Sequence, residues 1–196
     1  CNDHRVFSNY GAISHRLGKL EEAEKWFRKA IAIKPDFADA HSNLGNILND
    51  IGKSGEAFNS YLKAIDINPK NSNFYNLITG FLRDSDPSQL DKSKLKHILN
   101  LLLEKNDVNH KELVRVFNFV YSNEIINNLE KSDSDFSQIE LIMNNKVIID
   151  ALKKLTIKDI RLEKMLTNIR EYICDKIILS REDISYSQLQ FTIALG

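Results

Sequence analysis

Apolar residues in the first 83 positions recur at helical spacing, in successive pairs of short segments. Ala23, Phe27 and Ala30 lie at i, i+4 and i+7, which places them on one stripe of a helix. Ala57, Tyr61 and Ala64 repeat that stripe further along. The pattern predicts paired helices whose breaks are marked by glycine and proline, at Gly18, Pro35, Gly52 and Pro69. A further helix is predicted over residues 72–83.

The paired segments form an internal repeat with a period of 34 residues. Residues 4–35 laid over residues 38–69 give thirteen identical pairs, which include Gly11/Gly45, Gly18/Gly52 and Pro35/Pro69. A period of this length indicates a helical solenoid, in which each unit buries its apolar face against its neighbours.

The repeated glycines predict two different structural roles. Gly11 and Gly45 fall inside helices, where glycine costs roughly 1 kcal/mol relative to alanine. We expect that cost to be offset because a neighbouring helix packs against the bare backbone. Gly18 and Gly52 end the first helix of each pair, where a left-handed residue is needed and glycine supplies it.

The repeated motif identifies a known family. The segments N-Y-G…L-G-K-L-E-E-A…F-R-K-A-I-A-I-K-P and N-L-G…I-G-K…E-A…Y-L-K-A-I-D-I-N-P resemble the tetratricopeptide repeat (TPR) over residues 4–71. The resemblance implies an all-α fold in which a solenoid of helical hairpins is followed by a non-repeat helical bundle. We predict a TPR array over residues 1–83, with full repeats at 4–37 and 38–71 and a capping helix at 72–83.

Residues 84–196 are predicted to be helical without a 34-residue period. Asp86-Pro87-Ser88-Gln89 carries the signals of a helix start, and weaker capping boxes begin at Asn109, Asp135, Thr156 and Ser185. Apolar spacing predicts a helix over about 159–179 and another that contains Leu113, Phe117, Val120 and Tyr121. The alternation over residues 116–121 also fits a strand, but the flanking helix-forming residues favour a helix.

Composition and charge exclude several function classes. The chain has 27 basic and 27 acidic residues and no net charge, and residues 1–87 and 88–196 are each balanced, so no basic footprint for a nucleic acid is expected. No apolar run reaches the roughly 18–20 residues that span a bilayer. Two cysteines form neither a disulfide framework nor a metal motif, and a reducing, cytoplasmic location is predicted.

No catalytic, cofactor or metal site is predicted within the chain. Gly52-Lys53-Ser54 imitates the end of a phosphate-binding loop, but Ile47 stands where that motif needs glycine. The five histidines include no i, i+4 pair. Residues 132–135, Ser-Asp-Ser-Asp, fit helix capping better than a phosphorylation or cation site. Residues 81–195 contain no glycine, so no glycine-rich cofactor loop is expected there.

The TPR resemblance implies a protein or peptide partner in a groove lined by the first helix of each repeat. Asn9 and Asn43 occupy equivalent positions one repeat apart. Their placement resembles the asparagine ladder of the TPR arm of O-linked N-acetylglucosamine transferases. Carboxylate-clamp TPRs use basic residues where this chain has Ser8, Asn73 and Leu77, which makes that function doubtful. Ser8, His15, Ser42 and Arg83 are further lining positions. The principal groove residues carried over are Arg5, Asn9, Ala12, Arg16, Asp39, Asn43, Asn46, Asn49, Asp50, Asn73 and Asn76.

An alternative is that the chain is the non-catalytic N-terminal part of a larger enzyme. The stretch from about Leu101 to Gly196 looks like the helical region between TPRs and a methyltransferase domain in some marine-bacterial proteins. That resemblance implies that S-adenosylmethionine would bind beyond Gly196. We also expect the sequence to be a fragment, with further repeats before Cys1. Extending the reading frame past residue 196 tests the enzyme hypothesis.

Overall fold

The computed structural model describes residues 3–122, 144–155 and 167, and the regular elements in these ranges are all helical. The all-α fold predicted from the sequence is confirmed for this part of the chain. The described residues up to Ile98, together with Asp107–Asn109, form one compact unit. Leu99–Asn106 and the described residues from His110 onward form a second.

The first unit is built from successive helical hairpins. Its helices are α1 (His4–Arg16), α2 (Leu20–Ile33), α3 (Ala38–Asp50), α4 (Ser54–Ile67), α5 (Ser72–Asp84) and the first part of α6 (Lys92–Glu104). Helices α1 and α2 pair, as do α3 and α4, while α2 packs on α3 and α4 packs on α5. The first helices of successive hairpins also meet, because α3 contacts both α1 and α5.

Each hairpin closes around one aromatic ring. Phe27 and Tyr61 are 1% and 4% exposed, and the alanines on either side of them are fully buried. A Cβ atom added to Gly11 would lie 2.9 Å from the Phe27 ring, and one added to Gly45 would lie 2.8 Å from the Tyr61 ring. The predicted packing of a neighbouring helix against bare glycine backbone is therefore confirmed in both hairpins.

The turns within the two hairpins have the same geometry. Gly18 and Gly52 adopt φ angles of 74° and 88°, the left-handed region that glycine enters without strain. The N–H of Lys19 donates to the carbonyl of Ser14 at 2.9 Å, and the N–H of Lys53 donates to that of Leu48 at 2.8 Å. These bonds close a Schellman motif at the end of α1 and of α3, as the glycine positions predict.

At the start of α3 and of α5, one side chain bonds the helix to the turn that precedes it. His41 Nε2 lies 2.9 Å from the carbonyl oxygen of Pro35, and the Tyr75 hydroxyl donates to the carbonyl of Pro69 at 3.0 Å. The prolines follow helices that end at Ile33 and Ile67, as predicted. These bonds link the first turn of each helix to the proline turn that precedes it.

The start of α6 differs from the sequence prediction. Asp86 accepts a hydrogen bond from the N–H of Ser88 at 3.0 Å, but only one 3₁₀ turn, Pro87–Gln89, follows. The long helix begins at Lys92, where Asp91 accepts from the N–H of Lys94 at 2.8 Å. The predicted helix start at Asp86 is therefore wrong for α6, because the second aspartate caps the helix.

The predicted capping helix 72–83 corresponds to α5, which ends at Asp84. Thr79 stands where the earlier hairpins have glycine, and its hydroxyl donates to the carbonyl of Tyr75 at 2.7 Å. The first unit continues beyond α5 to Ile98. The division of the chain into 1–83 and 84–196 stays a prediction.

The second unit contains short and irregular helical elements. These are a 3₁₀ turn (His110–Leu113), α7 (Val114–Phe117), a π-helical turn (Asn118–Ser122) and α8 (Lys146–Lys154), besides the end of α6. Leu113, Phe117, Val120 and Tyr121 are all buried, as their spacing predicts.

Helix α8 was not predicted from the sequence. Asn145 caps it by accepting from the N–H groups of Val147 and Ile148. Lys154 donates from its ammonium group to the carbonyl of Leu103, near the end of α6. The predicted helix over 159–179 and the capping boxes at Asp135, Thr156 and Ser185 lie outside the described residues, except for Thr167, which is helical.

Candidate partner-binding groove

Nine of the eleven principal groove residues follow one stripe on each first helix of the hairpins. On α1 the stripe contains Arg5, Asn9, Ala12 and Arg16, at i, i+4, i+7 and i+11. Their equivalents 34 residues later are Asp39, Asn43, Asn46 and Asp50 on α3, and then Asn73, Leu77, Gly80 and Asp84 on α5. We call these three aligned stripes, together with Asn49 and Asn76, which lie three residues after Asn46 and Asn73, the A-helix face.

Most of the A-helix face is open to solvent. Asn43 and Asn46 are half-buried, whereas the remaining predicted groove residues are exposed: Arg5, Asn9, Ala12, Arg16, Asp39, Asn49, Asp50, Asn73 and Asn76. A Cβ atom added to Gly80 would meet no heavy atom within 4 Å, so this part of α5 also faces open space. Ser8 and Ser42, which the resemblance also placed in the groove, are buried at 8% and 5% exposure.

Five amide side chains of the predicted groove make no hydrogen bond within the described residues. They are Asn9, Asn43, Asn49, Asn73 and Asn76. Two other amides of the same unit are engaged internally, since Asn71 caps α5 and Asn59 accepts from Lys94 at 2.6 Å, whereas Asn68 makes no side-chain hydrogen bond within the described residues. The free amides are therefore concentrated where the repeat register predicts a ligand.

Asn46 differs from these amides because its oxygen is already used. The Tyr61 hydroxyl donates to Asn46 Oδ1 at 2.8 Å, which ties the A-helix face to the aromatic ring inside the second hairpin. Burial, and after it the negative charge of Asp50, raises the pKa of Tyr61 to about 12. The hydroxyl therefore remains a donor at neutral pH and fixes the orientation of Asn46, whose oxygen keeps one lone pair for a further donor.

The charges on the A-helix face differ in sign between helices. Arg5 and Arg16 lie on α1, and Asp39 and Asp50 lie on α3. Arg5 pairs with Asp3 at 3.2 Å, and His15 Nε2 lies 2.8 Å from Asp50 Oδ2. Within the described part of the chain, the side chains of Arg16 and Asp39 have no such partner. The face thus offers one free cation on α1 and one free anion on α3.

Comparison with known protein families accounts for these hairpins. A family model described as "TPR repeat" matches residues 11–52, and one described as "Tetratricopeptide repeat" matches residues 38–71. Residues 11–71 carry tetratricopeptide repeats. Together with the helical hairpins, these matches confirm the predicted solenoid. No curated protein matches the chain.

Tetratricopeptide repeats are generally protein–protein interaction modules, so a protein is the partner class that these hairpins indicate. The A-helix residues from Ala12 to Asp50 lie within the matched range, whereas Arg5 and Asn9 precede it and α5 follows it.

The tetratricopeptide hairpins carry a second surface feature, which sequence reasoning missed. A cleft of about 520 Å³ runs between neighbouring hairpins, with Arg28 and Ile31 on one side and His41 and Lys63 on the other. Its existence depends on the distance between successive hairpins, for which the sequence contains no direct signal.

The remaining sequence predictions concern metal sites, membrane-spanning helices, the methyltransferase resemblance and the cellular location. Among the described residues, no three His, Cys, Asp or Glu side chains come together as metal ligands, and no helix is both long and apolar enough to cross a membrane. The methyltransferase resemblance falls largely on residues outside the described ranges. That resemblance, the absence of a cofactor, the cytoplasmic location and the exclusion of nucleic acid stay predictions.

Proposed function

We propose that the tetratricopeptide hairpins bind an extended segment of a partner protein along the A-helix face. The observation that supports this proposal is the set of five exposed or half-buried amides without internal partners on α1, α3 and α5. These amides lie on α1, α3 and α5, the first helices of successive hairpins. A ligand that crosses the three helices would meet amides on each of them.

Amide side chains suit recognition of peptide backbone. Each offers two N–H donors and one carbonyl acceptor, so one Asn can pair with both the C=O and the N–H of an extended chain. No internal hydrogen bond has to be broken at Asn9 or Asn43 before a ligand can bind. We infer that the face binds backbone at these positions and tolerates many side chains.

The charges of the A-helix face would favour one orientation of the bound peptide. A ligand with an acidic residue near Arg16 and a basic residue near Asp39 complements the free ion on each helix. Both ions are exposed, so the contribution is small and falls as salt screens it. The opposite charges of Arg16 and Asp39 therefore favour one direction of the bound peptide more than they raise its affinity for the face.

A peptide-display selection tests the proposal. A random peptide library is selected against the immobilised 196-residue chain, and the affinities of enriched peptides are measured by fluorescence anisotropy. Replacing Asn9 and Asn43 with alanine removes two hydrogen-bonding groups, each of which contributes about 0.5–1.5 kcal/mol. Together they contribute about 1–3 kcal/mol, so the double variant should bind roughly 5–150 times more weakly.

The matched control replaces two amides outside the A-helix face, Asn59→Ala with Asn68→Ala, and should leave affinity unchanged. Circular dichroism checks that both double variants stay folded. Equal affinity of the chain and the Asn9/Asn43 variant would remove these amides from the binding site. Failure to enrich any peptide above an unrelated helical protein would contradict the groove itself.

A further inference from the structure

Two adjoining clefts lie on the first unit, and none of the residues that line them belongs to the A-helix face. The first is the cleft of about 520 Å³ between neighbouring hairpins, which we call the α2–α4 cleft. The second has a volume of about 630 Å³ and lies between α4 and α6, and we call it the α4–α6 cleft. Lys63 of α4 lines both. Each cleft falls within the roughly 300–1,000 Å³ of typical ligand pockets.

The α2–α4 cleft has an aliphatic lining. Ile31 and Ala32 of α2 line it together with Leu44 of α3, which is 4% exposed. Arg28 and Lys63 contribute their methylene chains to the same surface. The guanidinium group of Arg28 is already paired with carboxylates of α2 and α4 that do not line the cleft. This cleft therefore suits a large apolar side chain.

The α4–α6 cleft carries unpaired hydrogen-bond donors. Lys63, Lys94 and His97 line it, together with one carboxylate, that of Asp66. Lys94 is engaged, since its ammonium group donates to Asn59 Oδ1 at 2.6 Å. Within the part of the chain that the structure describes, the side chains of Lys63 and His97 have no hydrogen-bond or ion-pair partner. These two side chains are therefore available to an anionic group.

We propose that the adjoining clefts bind a short segment of a partner protein that carries a large apolar side chain close to a carboxylate. The apolar side chain occupies the α2–α4 cleft. The carboxylate lies in the α4–α6 cleft, where Lys63 and His97 donate to it. An ammonium group offers three N–H donors and a neutral imidazole offers one, so both side chains can donate at neutral pH.

The balance of charge favours a single carboxylate over a polyanion. Asp66 lies in the same cleft as Lys63 and Lys94, so the local excess of positive charge is small. A row of phosphates needs many Lys and Arg side chains along its path. Because this surface shares no residue with the A-helix face, the chain can hold one segment on each surface at the same time.

Two cleft variants test the proposal on peptides enriched by display on the 196-residue chain. Fluorescence anisotropy compares their affinities for the original chain, Lys63→Glu and Ala32→Phe. Both replaced side chains are exposed, so the fold should tolerate either change, and circular dichroism checks that it does. One class of enriched peptides should combine a large apolar residue with a nearby Asp or Glu and bind both variants more weakly.

The two variants should weaken this class by different amounts. Lys63→Glu replaces attraction with repulsion, so binding should weaken roughly 2–30 times. Ala32→Phe fills the α2–α4 cleft with the chain's own ring, so burial of the peptide's apolar side chain is lost and binding should weaken at least about tenfold. The matched control is Lys25→Glu, an exposed lysine of α2 that lines neither cleft, and it should change affinity less than about twofold.

A charge exchange gives a second check on the contact with Lys63. A peptide of this class whose acidic residue is replaced by lysine should bind the Lys63→Glu variant more tightly than it binds the original chain. The same preference for the original chain as before the exchange would overturn the proposal, because the carboxylate would then lie elsewhere.

Enriched peptides that all keep their affinity for Lys63→Glu and Ala32→Phe would also overturn it, as would a failure to enrich any peptide of this class. A class that responds to Lys63→Glu but not to Ala32→Phe would place the apolar side chain outside the α2–α4 cleft and contradict the proposal. If the phenylalanine variant does not fold, Ala32→Leu gives the same comparison. Peptides that respond only to the Asn9/Asn43 replacement are assigned to the A-helix face, so failure at one surface is distinguishable from failure at the other.

Discussion

The contact between a glycine and an aromatic ring determines how closely the helices of each hairpin approach. Tyr61 lies over Gly45 so tightly that no Cβ atom fits without movement of the ring. Its hydroxyl is at the same time bonded to Asn46, on the A-helix face. Ring movement would therefore disturb both the hairpin interior and the candidate groove.

Two glycine replacements should change stability in opposite directions. Gly45→Ala forces a methyl group to within 2.8 Å of the Tyr61 ring and should destabilise the fold by about 1–3 kcal/mol. Gly80→Ala adds a methyl group into open space within α5, and it should stabilise by about 0.5–1 kcal/mol because alanine is the better helix former. Urea unfolding followed by circular dichroism measures both. A stabilising effect of Gly45→Ala would show that the ring yields freely.

At the scale of helices, ion pairs connect α2 to the N-terminal end of α4. Glu24 contacts Arg28 at 2.8 Å within α2 and Lys53 at 3.0 Å beside α4. Arg28 also reaches Glu56 on α4 at 2.7 Å. Burial alone would raise the pKa of Glu24, but the hydrogen bonds from Lys53 and Arg28 outweigh it and hold the pKa below its ordinary value of 4.5.

Replacement of Glu24 should therefore have a pH-dependent effect. A lowered pKa in the folded state means that the ionised carboxylate stabilises the fold above pH 4.5, and that this stabilisation is lost as pH falls through the lower, folded pKa. Glu24→Gln should cost about 1 kcal/mol at pH 7, because its partners are largely exposed, and much less at pH 3.

The control for this experiment is Glu21→Gln, an exposed carboxylate on the same helix. Its effect should be small at both pH values. Denaturant titrations at pH 7 and pH 3 compare the two variants with the unaltered chain. A Glu24→Gln penalty that does not change between these pH values would rule out the ion contacts as its cause.

The helices α1 to α5 could be predicted from the sequence because glycine and proline mark their ends twice, at equal spacing. The start of α6 could not, since Asp86 and Asp91 are both good capping residues and only packing selects between them. Helix α8 was missed because Asn145 lacks the Glu or Gln three residues later that completes a capping box. The π-helical turn after α7 has no sequence signature of its own.

The candidate groove was predictable only as a set of positions. The 34-residue period places equivalent residues on equivalent faces, and that is sufficient to locate Asn9 and Asn43. It could not show that Asn46 is bonded to Tyr61, or that His15 meets Asp50 from 35 residues away. Such contacts depend on side-chain conformations and on the distance between hairpins, which the repeat pattern leaves open.

The whole molecule carries no net charge that would attract a polyanion. Its 27 basic and 27 acidic residues give no net charge and a sequence pI of about 7.1. Nucleic-acid binding draws most of its non-specific affinity from excess Lys and Arg on one surface. Specificity in this chain is therefore expected to come from short-range contacts such as those of the A-helix face.

The chain should not bind duplex DNA measurably at physiological salt. Non-specific binders reach a Kd of about 1–100 μM under such conditions, so titration of a labelled duplex to about 100 μM protein is a sufficient range. Fluorescence anisotropy should stay flat. A rise in anisotropy that disappears at higher salt would reveal a basic surface that the overall charge balance conceals.

The ring packed on bare backbone also limits how these repeats can diverge. Changing Gly45 alone overfills the contact, and shrinking Tyr61 alone leaves a gap, so each single step away from the pair is disfavoured. After α4 both partners are gone, since Thr79 replaces the glycine and α6 carries buried Leu95 and Ile98 instead of an Ala–aromatic–Ala stripe. The two positions are therefore expected to covary, and a diverging copy of the repeat keeps both or loses both.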